Sequence, residues 1–377
     1  MTFKGFSMNR LILFKHKIIE KVRCFYLVNF NSRYKANMQR YKSSLNKKSK
    51  VIIKSEIKEL KKYWGCFPLQ YFNHDFYSKD CTLTMNEMKL FIPSYYFYRI
   101  IFPQYDDSKA LLNIVEDKIV MDTLFKGMDF PSANVIIKKK SNYLFNPLGD
   151  ALTAESFLES LQKSDSNKLF IKPVNGRGGN GILVAKKRDD IFYIKDDEFN
   201  YNYLINLQGD YVIEEAILQH DAITAVYPHS VNTLRVITKR NKAGAIEIVA
   251  ITLRMGSKGR EIDNTSAGGL VIGINLLTGL TVREYATQEY GLERFYEHPD
   301  SGFKFKQLKI PNWLAVKSQV IELANKNIIM NLTGWDIAIT QNGILVIEIN
   351  TLFGIDGLQS SLGGLRDKFD ENYTVQL

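Results

Sequence analysis

The sequence predicts an α/β body preceded by a basic, mainly helical N-terminal region. From about residue 105 onward, helix signals alternate with short strand-like runs, which is the pattern of an α/β fold. The length of 377 residues exceeds what one hydrophobic core usually serves, so two or three domains are expected. With 45% hydrophobic residues, the chain has material for such cores and the composition of a soluble globular protein.

Positive charge is concentrated in the N-terminal region. Residues 1–62 contain 17 Lys and Arg against Glu20, Glu56 and Glu59, a net charge of +14, whereas the whole chain carries +10. Because apolar residues are interleaved with these cations, amphipathic helices are expected. Three interpretations stay open, namely a solvated helical face, adhesion to an anionic membrane surface, and nucleic-acid binding. Nucleic-acid binding has the weakest support, because no nucleic-acid motif accompanies the charge.

Cysteine usage and hydropathy argue against several classes of protein. Cys24, Cys66 and Cys81 form no CxxC pair and have no ligand-like spacing to histidine, which argues against a disulfide framework and a zinc site. No run approaches the roughly 18 apolar residues of a membrane-spanning helix. The first residues also lack the apolar core and cleavage site of a secretory signal. We therefore expect a cytoplasmic protein.

The elements follow from composition in chain order. A basic helical region extends to about residue 65, and an aromatic, loop-rich stretch follows to about residue 95. Asp106-Asp107-Ser108 is a candidate cap for a helix that runs through Ile114. Apolar and β-branched runs then predict strands, of which the last two form an antiparallel pair around Gly244. These strands are expected at 169–173, 182–185, 191–194, 210–215, 231–238 and 245–254.

A glycine-rich segment lies between two of these strands. Residues 176–181 read Gly-Arg-Gly-Gly-Asn-Gly, which fits GxGxxG. A dinucleotide fingerprint would need a helix after the glycines, and a protein-kinase loop would need HRD and DFG motifs that the sequence lacks. A simple turn is the structural alternative. The segment predicts a hairpin whose backbone N–H groups close over phosphates at Gly176, Gly178, Gly179 and Gly181.

A second constellation lies in two strand-like runs around Gln341-Asn342-Gly343. If these three residues form the loop, with Gly343 left-handed, Asp336 lies opposite Glu348 and Asn350 points to the same face. A two-residue Asn-Gly loop would separate the two carboxylates. Clustered carboxylates are costly without a cation, and oxygen ligands with few protein contacts suit Mg²⁺ bound to nucleotide phosphates. The hairpin therefore predicts a magnesium site, with a half-exposed polar strand face as the alternative.

In their order and spacing these segments resemble the ATP-grasp superfamily. Residues from about 100 to 365 are most similar to the sugar-transfer-associated ATP-grasp family of polysaccharide gene clusters. The resemblance implies an ATP-grasp fold, in which two α+β lobes clasp ATP, with Mg²⁺ as the metal. The motifs that carry it are Lys172-Pro173, the glycine loop 176–181, Glu214-Glu215, Asn232-Thr233-Leu234-Arg235, Asn264 to Gly269, and Asp336 with Glu348-Ile349-Asn350.

The resemblance also implies residue roles. Lys118 and Lys172 would bind the nucleotide phosphates, for which a lysine is a suitable point charge. The adenine hinge would run from Glu214 through Glu215 to Ile217, and Asp221 would accept a hydrogen bond from the ribose. Arg235 and Arg254 would neutralise the transferred phosphoryl group, with Asn232 as a third catalytic candidate.

One departure from the pattern concerns an arginine. Relatives such as the D-alanine:D-alanine ligases place an arginine just before the first metal carboxylate, whereas this chain has Gly334-Trp335 there. The role of that arginine has either moved, for instance to Arg235, or been lost.

The expected function is that of an ATP-dependent, ADP-forming carboxylate–amine ligase that acts through an acyl phosphate. The resemblance suggests an amide between an amino acid and a sugar, either a uronic acid or an amino sugar, in bacterial surface polysaccharide biosynthesis such as capsule or O-antigen. The partners would be a small-molecule or lipid-linked sugar and an amino acid or other amine. Peripheral contact through residues 1–62 would occur at the inner face of the membrane. A phosphotransferase and a non-catalytic membrane-associated adaptor are the alternatives.

The predicted division of the chain has four parts. Residues 1–95 form the basic helical region and residues 96–167 a first α/β subdomain that carries Lys118. Residues 168–222 form the small lobe with the glycine loop, and residues 223–377 the large lobe with the metal-binding hairpin.

Overall fold

The computed structural model describes residues 10–105, 115–176, 178–263, 268–288 and 293–370, and it describes the backbone alone for residues 10–18 and Arg33. The helix predicted after Asp106, the loop residue Arg177 and the motif residue Asn264 lie outside the described residues. The chain divides into two compact units, and the four-part division stays a prediction. The first unit comprises Met1–Gln104, Glu289–Glu293 and Gly354–Leu377, and the second comprises Tyr105–Gln288 and Arg294–Phe353.

Helices dominate the N-terminal part of the described chain, and two sheets occupy the rest. The helices are α1 (Arg10–Phe30), α2 (Ser32–Ser43), α3 (Lys50–Trp64), α4 (Gln70–Asn73), α5 (Met85–Met88), α6 (Ser94–Tyr96), α7 (Lys118–Gly127), α8 (Ala154–Gln162), α9 (Tyr201–Asn206), α10 (Asp221–Thr224), α11 (Trp313–Lys326), α12 (Ile355–Leu362) and α13 (Arg366–Phe369). A π-helical turn spans Phe97–Ile101, and 3-10 turns span Phe102–Tyr105 and Phe305–Gln307. Among the helices described, none is long and apolar enough to cross a membrane.

The strands are numbered in chain order. They are β1 (Val135–Lys140), β2 (Tyr143–Phe145), β3 (Lys168–Pro173), β4 (Leu183–Arg188), β5 (Ile191–Ile194), β6 (Asp197–Glu198), β7 (Tyr211–Glu215), β8 (Thr233–Arg240), β9 (Ile246–Met255), β10 (Leu270–Gly273), β11 (Ala286–Gln288), β12 (Arg294–Phe295), β13 (Leu332–Thr340) and β14 (Gly343–Asn350). The predicted antiparallel pair is confirmed as β8 and β9.

The predicted helical character of the N-terminal region is confirmed for its described part, and α3 illustrates why. The Ser49 hydroxyl accepts a hydrogen bond from the Ile52 N–H at the start of the helix, and Gly65 ends it with a left-handed φ of 66°. Between these caps, Ile53, Leu60 and Trp64 are buried on one stripe. The helix therefore contributes to a hydrophobic core as well as exposing cations to solvent.

The segment from residue 354 onward completes the first unit. The Gln359 side chain accepts a hydrogen bond from the Ile92 N–H (2.7 Å) and donates one to the Ile92 carbonyl (3.0 Å). The Arg366 guanidinium lies over the Trp64 ring, 4.5 Å from its centroid. Residues near both ends of the sequence thus share one core.

The smaller sheet of the second unit is wholly antiparallel, with the strand order β2-β1-β7-β3-β4-β5-β6. Leu169 and Ile171 of β3 point to one face, where they pack with Phe157 and Leu161 of α8. The alternate residues Phe170 and Lys172 are left on the opposite face.

The larger sheet is also antiparallel, with the order β12-β11-β10-β9-β8-β13-β14. One face is buried by α11, because Val236 of β8 and Leu253 of β9 pack with Val316 and Val320 of the helix. The strands alternate, so their polar residues share the other face. That second face carries the candidate site.

Docking of the C-terminal segment on the first unit depends on a glycine. The backbone N–H groups of Leu365 and Arg366 both donate to the Leu90 carbonyl at 3.0 Å. A Cβ added at Gly364 would lie 2.7 Å from the Leu90 carbonyl carbon. We expect Gly364→Ala to lower the free energy of unfolding by about 1–3 kcal/mol through overpacking. Gly127→Ala, where an added Cβ meets nothing within 4 Å, is the control, and equal urea midpoints for both variants would contradict this account.

Candidate active site

A cavity of about 550 Å³ lies between the two sheets of the second unit. This volume is in the range of sites for drug-sized and nucleotide-sized ligands. The smaller sheet contributes β3, β4, the glycine loop and the end of β7, and the larger sheet contributes β8, β9, β14 and residues 260–263. Both sheets therefore turn their polar faces toward one enclosed volume.

One part of the cavity is apolar and is bordered by free backbone groups. Phe170, Val184, Ile217 and Ile347 line it. The chain leaves β7 at Ala216, whose N–H donates to the Lys168 carbonyl (3.0 Å). The next residue, Ile217, forms no backbone hydrogen bond with any described residue. The apolar side chains offer a surface on which a flat aromatic base can stack. The backbone N–H and C=O of Ile217 are available to hydrogen-bond to the nitrogen atoms of that base, as the predicted hinge requires.

Two lysines face the cavity from different elements. The Lys172 ammonium, on β3, lies 2.5 Å from a Glu214 carboxylate oxygen, on β7. The Lys118 ammonium, at the first residue of α7, donates to the Gly176 carbonyl (2.7 Å). Burial lowers the pKa of Lys118, while the nearby Glu348 carboxylate opposes that shift. Both cations are positioned to meet anionic oxygens.

The glycine segment forms the predicted strand–loop–strand arrangement between β3 and β4. Gly178 and Gly179 have φ values of 65° and 76°, which favour glycine. A Cβ on Gly179 would lie 2.7 Å from the Ile262 side chain, so the loop sits directly against the larger sheet's connecting segment. Gly176, Gly178 and Gly179 line the cavity, whereas Gly181 does not.

Asp336 is the centre of the polar face. Its carboxylate accepts two hydrogen bonds from Arg235, from Nε at 2.5 Å and from Nη2 at 3.0 Å. The Arg254 guanidinium lies 3.0 Å away, and the Asn350 amide donates at 3.1 Å. Burial alone would raise the pKa of Asp336, but Arg235 and Arg254 hold it below its usual range. Arg235 and Arg254, which come from the paired strands β8 and β9, thus converge on one carboxylate.

A second carboxylate holds Arg254 from the other side. Thr233 donates its hydroxyl hydrogen to Asp263 and accepts from the Arg254 Nη2 at 2.8 Å. The Asp263 carboxylate lies 3.4 Å from the same guanidinium. Burial tends to lower the pKa of Arg254, but Asp263 and Asp336 outweigh it and raise the pKa. The guanidinium therefore stays charged inside the protein.

The hairpin β13–β14 confirms the predicted pairing of Asp336 with Glu348, but the predicted loop is wrong. Thr340 pairs with Gly343, so the loop has two residues, Gln341 and Asn342. A bulge between Asp336 and Ile337 then shifts the register by one residue and restores the pairing. The bulge also explains why Ile347 lines the cavity.

Glu348 differs from Asp336 in having no partner. Its carboxylate forms no hydrogen bond or ion pair with any residue that the structure describes. Burial and the neighbouring Asp336 carboxylate raise the pKa of Glu348. A half-buried carboxylate beside a second one calls for a cation from outside the protein.

The donor set fits Mg²⁺ that keeps some of its ligands from phosphates. Described residues provide no cluster of three His, Cys, Asp or Glu that could enclose a metal. Glu348 and Asn350 still supply oxygen ligands on the cavity wall, and Mg²⁺ bound to phosphates needs only one or two carboxylates. Asp336 offers a further oxygen beside them, because its Oδ1 accepts a hydrogen bond from the Arg235 Nε alone, whereas Arg235 Nη2, Arg254 and Asn350 all meet its Oδ2.

Two predicted residues lie away from the cavity. The Asn232 amide donates to the carbonyls of Ile223 (2.9 Å) and Tyr227 (2.8 Å), and the residue is 1% exposed. Asp221 accepts a hydrogen bond from the Gln341 side chain at 3.0 Å. Neither side chain lines the cavity.

The segment 260–263 is the part of the site that sequence reasoning missed. Arg260, Glu261, Ile262 and Asp263 all line the cavity. Glu261 lies 3.1 Å from the ammonium groups of both Lys168 and Lys186 on the smaller sheet. The one available signal was position, since this segment directly precedes the Asn-x-Ser-x-Gly-Gly motif.

Comparisons with known proteins place this site in context. A family model described as sugar-transfer associated ATP-grasp matches residues 100–368. Similar solved structures include D-alanyl-alanine synthetase A from Vibrio cholerae O1 biovar eltor (13% identity, TM-score 0.38, 67% of this chain and 60% of that chain). A second is an L-amino acid ligase from Bacillus licheniformis (12% identity, TM-score 0.37, 68% of this chain and 46% of that chain). A third is the ADP complex of the N5-carboxyaminoimidazole ribonucleotide synthetase purK (11% identity, TM-score 0.37, 64% of this chain and 46% of that chain). The chain thus spans less than two thirds of each of these proteins. No curated protein sequence matches it.

The contrast between Asp336 and Glu348 predicts opposite effects on stability. Asp336→Ala leaves two buried guanidiniums short of a carboxylate and should lower the free energy of unfolding by about 3 kcal/mol. Glu348→Gln removes an unpartnered charge that repels Asp336, so stability should stay equal or rise. Urea denaturation of both variants checks this, and an equal loss in both would contradict the assignment of Asp336 as the centre of the charge network.

Proposed function

The chain belongs to the sugar-transfer associated ATP-grasp family, and from that premise we propose that it is an ATP-dependent, ADP-forming ligase that joins a carboxylate to an amine. One observation carries the proposal. Five cationic side chains, those of Lys118, Lys172, Arg235, Arg254 and Arg260, line a single cavity whose wall also holds the unpartnered carboxylate of Glu348. Such a charge pattern suits the stabilisation of phosphate oxygens during in-line transfer.

The position of each residue in the cavity indicates its role. Mg-ATP, when bound, supplies a phosphoryl group that makes the substrate carboxylate an acyl phosphate, from which an amine displaces phosphate. Lys118 and Lys172 hold phosphates beside the glycine loop, and Glu348 with Asn350 holds the metal. Arg254, fixed between Asp263 and Asp336, faces the transferred group without needing to reorganise. The apolar part of the cavity binds the base and excludes water.

We propose an amide between an amino acid and a sugar, either a uronic acid or an amino sugar, as the product. The association of the family with sugar transfer supports a sugar substrate, free or lipid-linked, in the biosynthesis of a bacterial surface polysaccharide such as capsule or O-antigen. Lysine and arginine side chains that stabilise phosphate oxygens would do so equally well if the phosphoryl acceptor were a hydroxyl group instead of a carboxylate. A kinase is therefore the second candidate.

The test is a screen of amino acids and sugar acids for stimulated ADP release, with the product identified by mass spectrometry. A ligase gives ADP, phosphate and an amide, whereas a kinase gives ADP and a stable phosphate ester. No ADP release with any pair of substrates would count against both activities.

Lys172 provides a sharper check on the nucleotide site. Lys172→Ala should weaken ATP binding by roughly tenfold to hundredfold, the effect of losing a charge-assisted hydrogen bond. Lys140→Ala is the matched control, because it removes another lysine–carboxylate pair, with Asp210, on the exposed side of the same sheet. Calorimetric titration with ATP measures both, and equal affinities would remove Lys172 from the site.

The N-terminal helix α1 supports a further part of the proposal, peripheral contact with the inner face of the cytoplasmic membrane. Val22, Phe25, Tyr26 and Phe30 are all more than half exposed, and Tyr26 and Phe30 stack with ring centroids 5.6 Å apart. Cations surround them in the sequence. Apolar side chains at the interface and basic residues near anionic lipid together favour in-plane binding.

Point substitutions test this better than deletion of residues 1–62, since α2 and α3 carry core residues. We expect Val22→Ser with Phe25→Ser to weaken binding to phosphatidylserine liposomes by at least about tenfold. Val51→Ser, which removes an exposed valine of α3, should leave binding unchanged. Co-sedimentation at two salt concentrations measures this, and equal binding to neutral liposomes would contradict the electrostatic part.

A further inference from the structure

Asp263, a carboxylate of the cavity wall, uses only one of its two oxygens. The residue is 8% exposed and lies beside Arg254. Its Oδ2 accepts hydrogen bonds from the Thr233 N–H (3.2 Å), from the Thr233 hydroxyl and from the Arg254 Nη2 (3.4 Å). No residue that the structure describes donates to Oδ1. Since each carboxylate oxygen can accept about two hydrogen bonds, Oδ1 keeps its full capacity.

The free oxygen is open to a ligand. Oδ1 is absent from the unpartnered polar atoms that the described part of the chain seals from solvent, so it keeps accessible surface. Asp263 contributes to the cavity wall, and a molecule in the cavity can therefore reach this oxygen. A carboxylate oxygen in a largely buried side chain is costly without a donor. Oδ1 thus calls for an N–H or O–H group from a bound molecule.

The orientation of the Asp263 side chain is fixed by its surroundings. Two donors of Thr233, one of them a backbone N–H at the start of β8, hold Oδ2 in place. The preceding backbone is closely packed, because a Cβ added to Gly256 would lie 2.9 Å from the Ile262 carbonyl oxygen. The carboxylate therefore presents Oδ1 without having to reorganise when a ligand binds.

The contact with Arg254 places Asp263 beside the reacting groups. The Arg254 Nη2 lies 3.0 Å from the Asp336 Oδ2 and 3.4 Å from the Asp263 Oδ2. In the proposed function Arg254 faces the transferred phosphoryl group, so the acyl phosphate forms next to it. Oδ1 of Asp263 borders the space that the second substrate, an amine, must enter in order to attack the acyl carbon.

Several other carboxylates of the wall already have partners or roles. Glu214 pairs with Lys172 (2.5 Å), and Glu261 pairs with Lys168 (3.1 Å). Glu348 is assigned to the metal in the proposed function. Asp263 combines an open oxygen, a fixed orientation and a place beside Arg254 with no other assignment.

We propose that Asp263 binds the amine nucleophile through Oδ1 and accepts its proton, an inference that rests on the proposed function. As the nitrogen of the neutral amine attacks the acyl carbon, the C–N bond forms. The C–O bond to the phosphate breaks, and its electron pair leaves with the phosphate. The surplus proton of the nitrogen moves to Oδ1 and passes to solvent when the amide departs. Asp263 is therefore a catalytic residue, the general base for the amine.

The experiment separates formation of the acyl phosphate from its capture by the amine. Each carboxylate of the ADP-release screen is offered to the full-length protein with Mg-ATP and one nucleophile, either hydroxylamine or an amine, namely glucosamine or L-alanine. Hydroxylamine captures an acyl phosphate as a hydroxamate without needing a general base. Hydroxamate formation therefore reports the first step, and amide formation reports both steps.

Asp263→Asn changes the oxygen in question and little else. The amide keeps one oxygen for Thr233 and Arg254, and it places an NH₂ group, which donates instead of accepting, where Oδ1 lies. Hydroxamate formation should stay near the wild-type rate, whereas amide formation should fall by about hundredfold or more. Asp263→Ser is the second variant, and added formate should restore part of its amide formation.

Asp300→Asn is the matched control. Asp300 is an exposed carboxylate that accepts a hydrogen bond from the Gly259 N–H (3.3 Å), in the same connecting segment, but it does not line the cavity. Both reactions should keep their wild-type rates in this variant.

The possible outcomes distinguish the two levels of the proposal. Amide formation at the wild-type rate in Asp263→Asn would overturn the role of Asp263 and leave the ligase intact. Loss of hydroxamate formation in both Asp263 variants would overturn it as well, because Asp263 would then serve only to hold Arg254. No hydroxamate from the wild-type protein with any carboxylate would remove the ligase, and the role of Asp263 would fall with it.

Discussion

The ion cluster around Asp336 is the interaction on which the site depends. A carboxylate that is almost fully buried is costly unless cations join it, and here Arg235 and Arg254 do so from adjacent strands. The same two guanidiniums would be equally costly without a carboxylate. Because the three side chains come from β13, β8 and β9, their mutual requirement fixes the register of the strands that form the cavity wall. Charge compensation thus determines where Arg235 and Arg254 point.

In the larger sheet, the alternation of side chains along each strand places the core residues on one face and the residues of the candidate site on the other. Alternate residues pack against α11 on one face and form a polar surface on the other. A single bulge at the end of the hairpin changes this alternation locally, and it brings Glu348 opposite Asp336 while turning Ile347 into the cavity. The apolar part of the cavity and the facing carboxylates of Asp336 and Glu348 are therefore products of the same irregularity.

Contacts between the two sheets enclose the cavity. Glu261 pairs with lysines of β3 and β4, and Ile262 leaves room only for a glycine in the loop opposite. Tyr227 helps to hold this segment in place, because its hydroxyl donates a hydrogen bond to the Arg260 carbonyl (2.9 Å). The lysines, the glycine loop and the facing carboxylates consequently lie on two sheets that are joined by the ion pairs of Glu261.

The sequence by itself determined the glycine loop and the strands β3, β4, β5, β7, β8, β9, β13 and β14, because these follow from local periodicity and from motif order. It did not identify β1, β2, β6, β10, β11 and β12. It predicted the pairing of Asp336 with Glu348. It misjudged the hairpin loop, since a two-residue turn compensated by a bulge has the same net register as a three-residue turn. It also proposed Asn232 and Asp221, whose side chains bond to Tyr227 and Gln341 and do not line the cavity. Only the tertiary structure decided that Arg254, Asp263 and Thr233 share one charge network. These placements depend on which strands become neighbours, and pairing between distant segments is set by the burial of whole faces, not by any local pattern.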